Sequence, residues 1–130
     1  MTNVGTIDYT RGGALDMLRP TSVVDPRGVR DALALSYERM GRLLDVSSRT
    51  VERMEAFDRP PRSAAVAERL GQLAQIVELG QMVYAPEGWR LFLTLPQPRF
   101  GGLTVLQLIE RGEAERVIGA LATDYEGAPT

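Results

Sequence analysis

Apolar residues recur at helical spacing along this chain, each run opening on a capping residue and closing on a turn residue, while no segment alternates apolar and polar side chains. A half-buried strand needs that period of two, so the pattern confines the chain to an all-α fold. Asp25 followed by Pro26 supplies an N-cap and a first helical position for a helix reaching to about Leu35. Ser36 caps the next helix, which runs to Leu44, with Leu35 and Met40 spaced for a hydrophobic staple. Asp45 occupies the turn that follows, where a left-handed backbone is expected and Asp is better tolerated than most residues. Ser47 or Ser48 caps a third helix through about Phe57, and Arg59-Pro60-Pro61-Arg62 ends it.

Ser63 opens a long helix to about Tyr84 with one stripe at Val66, Leu70, Leu73, Val77 and Tyr84 and a second at Ile76, Leu79 and Val83. Its later half is apolar on much of its circumference. Leu73 to Tyr84 is therefore expected either between layers or at a dimer interface, and a homodimer is the expectation drawn from it. Ala85-Pro86 breaks the helix. A short helix with Trp89, Phe92 and Leu93, a loop from Leu95 to Gly102, a Thr104-capped helix stopping at Gly112, and a last helix with Val117, Ile118, Leu121 and Tyr125 complete the chain. Trp89, Phe92 and Leu93 are expected in the core. The resulting organisation is an N-terminal arm over 1–24, read as poorly ordered, a helix-turn-helix domain over 25–62, and a small helical domain over 63–130 begun by the long helix.

The stretch from Tyr37 to Ala56 has the spacing of two short helices packed across a tight turn. Met40 and Leu44 face the core from the first helix, Gly41 leaves room for the second, Val46 plugs the turn, and Val51 and Met54 fill the core from the other side. The outer face of the second helix then presents Ser47, Ser48, Arg49, Thr50 and Arg53. Hydroxyls and amides suit phosphates, and arginines suit phosphates or guanine edges, so these five are the candidate DNA-binding residues. Glu52 and Glu55 flank them. A solvated face in which Arg49 and Arg53 pair with Glu52, Glu55 or Asp45 is the alternative.

Composition narrows the chemistry. The chain has no cysteine and no histidine, and every one of its 15 basic residues is arginine. Thiolate, imidazole and Schiff-base chemistry are excluded, as are nearly all transition-metal sites, so neither a catalytic site nor a cofactor is expected. An enzyme would depend on carboxylates such as Glu110 and Glu113. Residues 27–69 carry nine arginines against seven acids and residues 70–130 carry four against seven, a mildly basic middle followed by an acidic end. That division suits two different partners. No apolar run reaches 18 residues and the amino terminus lacks a signal-peptide pattern, so the chain is read as cytoplasmic with no membrane partner.

The second half contains Trp89, Leu95-Pro96-Gln97-Pro98, Phe100-Gly101-Gly102, Thr104-Val105-Leu106, Leu108, Gly112, Val117, Leu121 and Gly127. This series resembles the toxin-binding domain of the Xre/MbcA/ParS antitoxin family, and Ser36–Met54 resembles the Xre-like helix-turn-helix that precedes it. Together the two regions span about Leu33 to Gly127. The resemblance implies an antitoxin that occludes the active site of a RES-type, NAD-degrading toxin and represses its own operon by binding operator DNA. It places the toxin contact on Arg99, Phe100, Gly101 and Gly102 and on Tyr125, Glu126 and Gly127. The acidic end, with Glu113, Glu115, Asp124 and Glu126, would complement a basic NAD pocket. A stand-alone regulator whose C-terminal domain dimerises or senses a ligand is the alternative function.

Overall fold

Asp25 accepts the Arg27 N–H at 3.1 Å and Pro26 follows it, so the first helix, α1 (Pro26–Leu33), begins where its cap and its fixed φ direct. It ends two residues before the expected Leu35. Ala34 adopts a left-handed backbone (φ 58°, ψ 46°), and the Leu35 N–H folds back to the Arg30 carbonyl at 3.1 Å. Glycine is the usual residue at such a stop, and an alanine there gives no sequence signal. The computed structural model describes residues 25–127. The arm at 1–24 and the last three residues lie outside them.

Ser36 caps α2 (Tyr37–Leu44) by accepting the Arg39 N–H at 3.1 Å, and both staple residues, Leu35 and Met40, are buried. Asp45 takes the expected left-handed conformation, with φ 62°. Ser47 rather than Ser48 caps α3 (Ser48–Ala56), accepting the Thr50 N–H at 3.1 Å. The turn is tight because a Cβ on Gly41 would stand 2.6 Å from the Val46 carbonyl oxygen. Only glycine fits there.

The 20-residue α4 (Ala64–Val83) starts from its Ser63 cap and stops at Tyr84, in front of Pro86, which begins α5 (Pro86–Thr94). The segment expected to be a plain loop contains a 3₁₀ turn (Pro98–Phe100) and an isolated antiparallel bridge between Gln97 and Leu103. Thr104 and Gln107 form a reciprocal capping box on α6 (Val105–Glu110), at 3.1 and 2.9 Å, and α7 (Ala114–Gly127) closes the described chain.

One helix organises the rest. α4 packs most extensively on α7 and also touches α1, α2 and α5, so a continuous buried cluster extends from Val29 to Leu121. Leu73, Ile76, Val77 and Leu79 are all buried within the single chain. Of the two places expected for the apolar later half of α4, the space between layers holds these four side chains, while Met82, Val83 and Tyr84 at its end are half-buried. Trp89, Phe92 and Leu93 are core residues, as expected. The Trp89 indole lies against Gly80, where any Cβ would overlap it, and its Nε1–H donates to the Ala32 carbonyl at 2.8 Å. That bond ties α5 to α1. Arg39 on α2 reaches Glu110 at the end of α6 at 2.9 Å, a second link between the helix-turn-helix and the C-terminal helices.

Candidate functional site

The helix-turn-helix presents α3 much as its spacing predicts. Ser47, Arg49, Thr50 and Arg53 are exposed, and Ser48 is half-buried. The Ser47 and Thr50 hydroxyls lie 3.0 Å apart, and that of Ser47 also caps α3. Arg49 and Arg53 stand one turn apart, and among the described residues no carboxylate lies within ion-pair distance of either. The alternative in which they pair with Glu52, Glu55 or Asp45 is not the arrangement found.

Glu55 accounts for much of that freedom. Its carboxylate is 1% exposed and turns away from the α3 surface toward α1, where Arg30 donates from Nε at 2.6 Å and from Nη2 at 3.0 Å. Hydrogen bonds to Glu55 hold the Arg30 guanidinium above its ordinary pKa against the opposing cost of burial. The same guanidinium donates to the Leu35 carbonyl at 3.1 Å and covers the Tyr37 ring at 4.4 Å. Glu55 is therefore an internal strut of the helix-turn-helix and does not dilute the field of its outer face.

At the other end of the molecule, the loop and last helix singled out by sequence are brought together by Arg99. Its guanidinium binds Asp124 of α7 in a fork, Nη1 to Oδ1 at 3.0 Å and Nη2 to Oδ2 at 2.9 Å, while Nε donates to Gln97 at 3.1 Å. Tyr84 donates its hydroxyl to Asp124 at 3.2 Å. The Arg99 hydrogen bonds hold the Asp124 carboxyl below its usual range. Burial and the neighbouring Asp124 charge raise the Tyr84 hydroxyl.

Phe100, expected on the contact surface, is buried, with the guanidinium groups of Arg99 and Arg116 over its ring at 5.2 and 5.9 Å. It anchors the loop from beneath. Gly101 and Gly102 are exposed with φ of 66° and 85°, the positive values that the loop reading required. Tyr125, Glu126 and Gly127 are exposed on the final turn of α7. The end is less acidic than its composition suggests. Asp124 is neutralised by Arg99, and Glu113 is held below the carboxylate range, chiefly by its hydrogen bond from Arg116 at 2.8 Å. Glu115 and Glu126 have no arginine partner among the described residues. Of these features the Arg99–Asp124 fork was missed in the sequence, which gives no signal for a pair that only the meeting of loop and helix creates.

Glu110 and Glu113, the carboxylates available to a hydrolase, are each engaged by arginines: Glu110 by Arg39 and Arg42, Glu113 by Arg111 and Arg116. A lowered Glu113 pKa is the wrong direction for a general acid.

These helices define an all-α protein in which a helix-turn-helix bundle is joined through one long helix to a small helical unit. The same fold is found in a chain from the crystal structure of the M. tuberculosis MbcT–MbcA toxin–antitoxin complex, with a TM-score of 0.65 and 23% identity over 83% of this chain and 96% of that one. The fold is thus the one that the sequence resemblance implies. No protein-family model and no curated protein matches the chain. Among the described residues no helix is long and apolar enough to cross a membrane.

Proposed function

We propose that this chain is the antitoxin of a bacterial toxin–antitoxin pair, that it inhibits a RES-type, NAD-degrading toxin by covering its active site, and that it represses its own operon through α3. The observation that carries this reading is the shared fold with a component of a toxin–antitoxin complex, which includes both halves of the chain. The toxin contact is assigned to the exposed parts of the loop and last turn: Arg99, Gly101, Gly102, Tyr125, Glu126 and Gly127. Phe100 supports that surface from within. In this reading the protein acts in the cytoplasm and needs no catalytic residue or cofactor of its own.

The operator contact is assigned to Ser47, Ser48, Arg49, Thr50 and Arg53. Two copies are proposed on the operator, because helix-turn-helix proteins commonly read two half-sites about 34–36 Å apart. The freely presented arginines of α3 would also serve a stand-alone regulator, and co-expression separates the two readings. An antitoxin co-purifies with the product of the adjacent gene and restores growth to cells expressing it. A regulator without a toxin partner does neither.

A further inference from the structure

Beside α3 lies a second arginine-lined feature, which shares Thr50 and Arg53 with the operator face and adds residues assigned to no site above. The segment between α3 and α4 folds back on the helix-turn-helix and encloses a cleft of about 460 Å³, lined by Thr50, Arg53, Arg59, Arg62 and Ser63, with Asp45 the one carboxylate at its wall. Arg53, Arg59 and Arg62 are all exposed, and among the described residues none of the three has an ion-pair partner. The other arginines of this half, Arg49 apart, are engaged. Arg27 and Arg30 bind Glu55, Arg39 and Arg42 bind Glu110, and Arg69 donates to the Leu44 carbonyl. Among the described residues, the packing thus leaves Arg49, Arg53, Arg59 and Arg62 as the arginines of residues 27–69 whose guanidinium groups have neither a carboxylate nor a carbonyl partner.

The cleft is also held in shape. The Arg59 N–H bonds to the Met54 carbonyl at 3.2 Å, its guanidinium rests over the Phe57 ring at 5.2 Å, and Asp58 turns the chain with φ of 52°. Pro60 and Pro61 then fix the backbone that spaces Arg59 from Arg62. Ser63 at the rim caps α4, so the positive end of a 20-residue helix borders the same space. Thr50 and Arg53 belong both to this cleft and to the exposed face of α3.

We propose that Arg59 and Arg62, with Arg53, form a phosphate clamp that grips the sugar–phosphate backbone of duplex DNA alongside the recognition helix. The inference rests on the DNA-binding half of the proposed function and extends it. Arg49 and the start of α3 face the groove, and the clamp fixes register on the flanking strand without reading sequence.

The test is fluorescence anisotropy of the full chain against a duplex from its own promoter region and a scrambled duplex of equal length, at salt concentrations from about 50 to 200 mM. R59A/R62A is expected to weaken both duplexes by the same factor and to make the slope of log K against log salt shallower by about 0.9 for each phosphate that the variant no longer neutralises. R59K/R62K is expected to keep the wild-type slope, since charge is retained. Wild-type affinity and slope in R59A/R62A would overturn the clamp. So would binding of inorganic phosphate at constant ionic strength that depends on both arginines while duplex binding does not, because the cleft would then hold a small anion. If the wild-type chain binds neither duplex, the operator reading itself falls and the clamp with it, a result distinct from an unaffected double variant.

Discussion

Arg99 and Asp124, 25 residues apart in sequence, form a two-pronged ion pair that holds the end of α7 against the glycine-containing loop. Through it the two segments assigned to the toxin contact become one surface. Tyr84, at the end of α4, adds its hydroxyl to the same carboxylate, so the pair is braced from the central helix.

The pair makes stability depend on pH in a defined direction. Asp124 has a folded pKa below its unfolded value, so its contribution is fully present above the unfolded value of about 3.9 and is lost as pH falls through the folded one. With the Arg99 side chain 40% exposed, solvent screening limits the effect of Asp124→Asn to about 1 kcal/mol at pH 7. Urea unfolding of wild type and D124N is expected to show that gap at neutral pH and to show it narrowing progressively as the pH falls below about 3.9. A gap that keeps its size as the pH falls would contradict the role of the charge.

Glu55 is expected to be the costliest carboxylate to remove. Glu55→Ala leaves the Arg30 guanidinium, 17% exposed, without its partner in a mostly dehydrated position, which is expected to destabilise the protein by about 2–3 kcal/mol. R30M/E55M, which removes both charges, is expected to recover much of the loss. Denaturant midpoints distinguish these outcomes, and a double variant no more stable than E55A would show that the pair matters for more than its mutual neutralisation.

Gly80 is required by Trp89. Gly80→Ala forces a methyl group into the space of the indole, so overpacking is expected to cost about 1–3 kcal/mol. The protein has a single tryptophan, so its fluorescence reports the site directly. G80A is expected to shift the emission to longer wavelength as the indole is displaced from its bond to Ala32, whereas Gly119→Ala, with nothing within 4 Å of the added Cβ, is expected to leave it unchanged.

What was legible in the sequence was local. The caps at Asp25, Ser36, Ser63 and Thr104 and the left-handed Asp45 depend on neighbours within three or four residues, and periodicity identified the buried sides of the helices. The stop at Ala34 was not legible, because it departs from the glycine rule and is held by bonds back to the preceding turn. The pairs Arg30–Glu55, Arg39–Glu110 and Arg99–Asp124 join residues 25 to 71 positions apart, and arginines and acids are too evenly scattered for spacing to reveal them. This is why Arg99 is legible as a contact residue but not as the partner of Asp124, and why Phe100 is expected on the surface that it underlies. It is also why the sequence leaves the later half of α4 open between a place between layers and a dimer interface, since its partners within the chain, α7 above all, are contributed by sequence far downstream.

The central claim is inhibition of a NAD-degrading partner. The most direct measurement is NAD consumption by the purified product of the adjacent gene, followed with and without a stoichiometric amount of this chain and of a variant lacking residues 125–130. The partner is predicted to consume NAD, the full chain to stop it, and the shortened chain to stop it less effectively while remaining folded. A partner that does not consume NAD, or whose consumption is unchanged by the full chain, would contradict the claim.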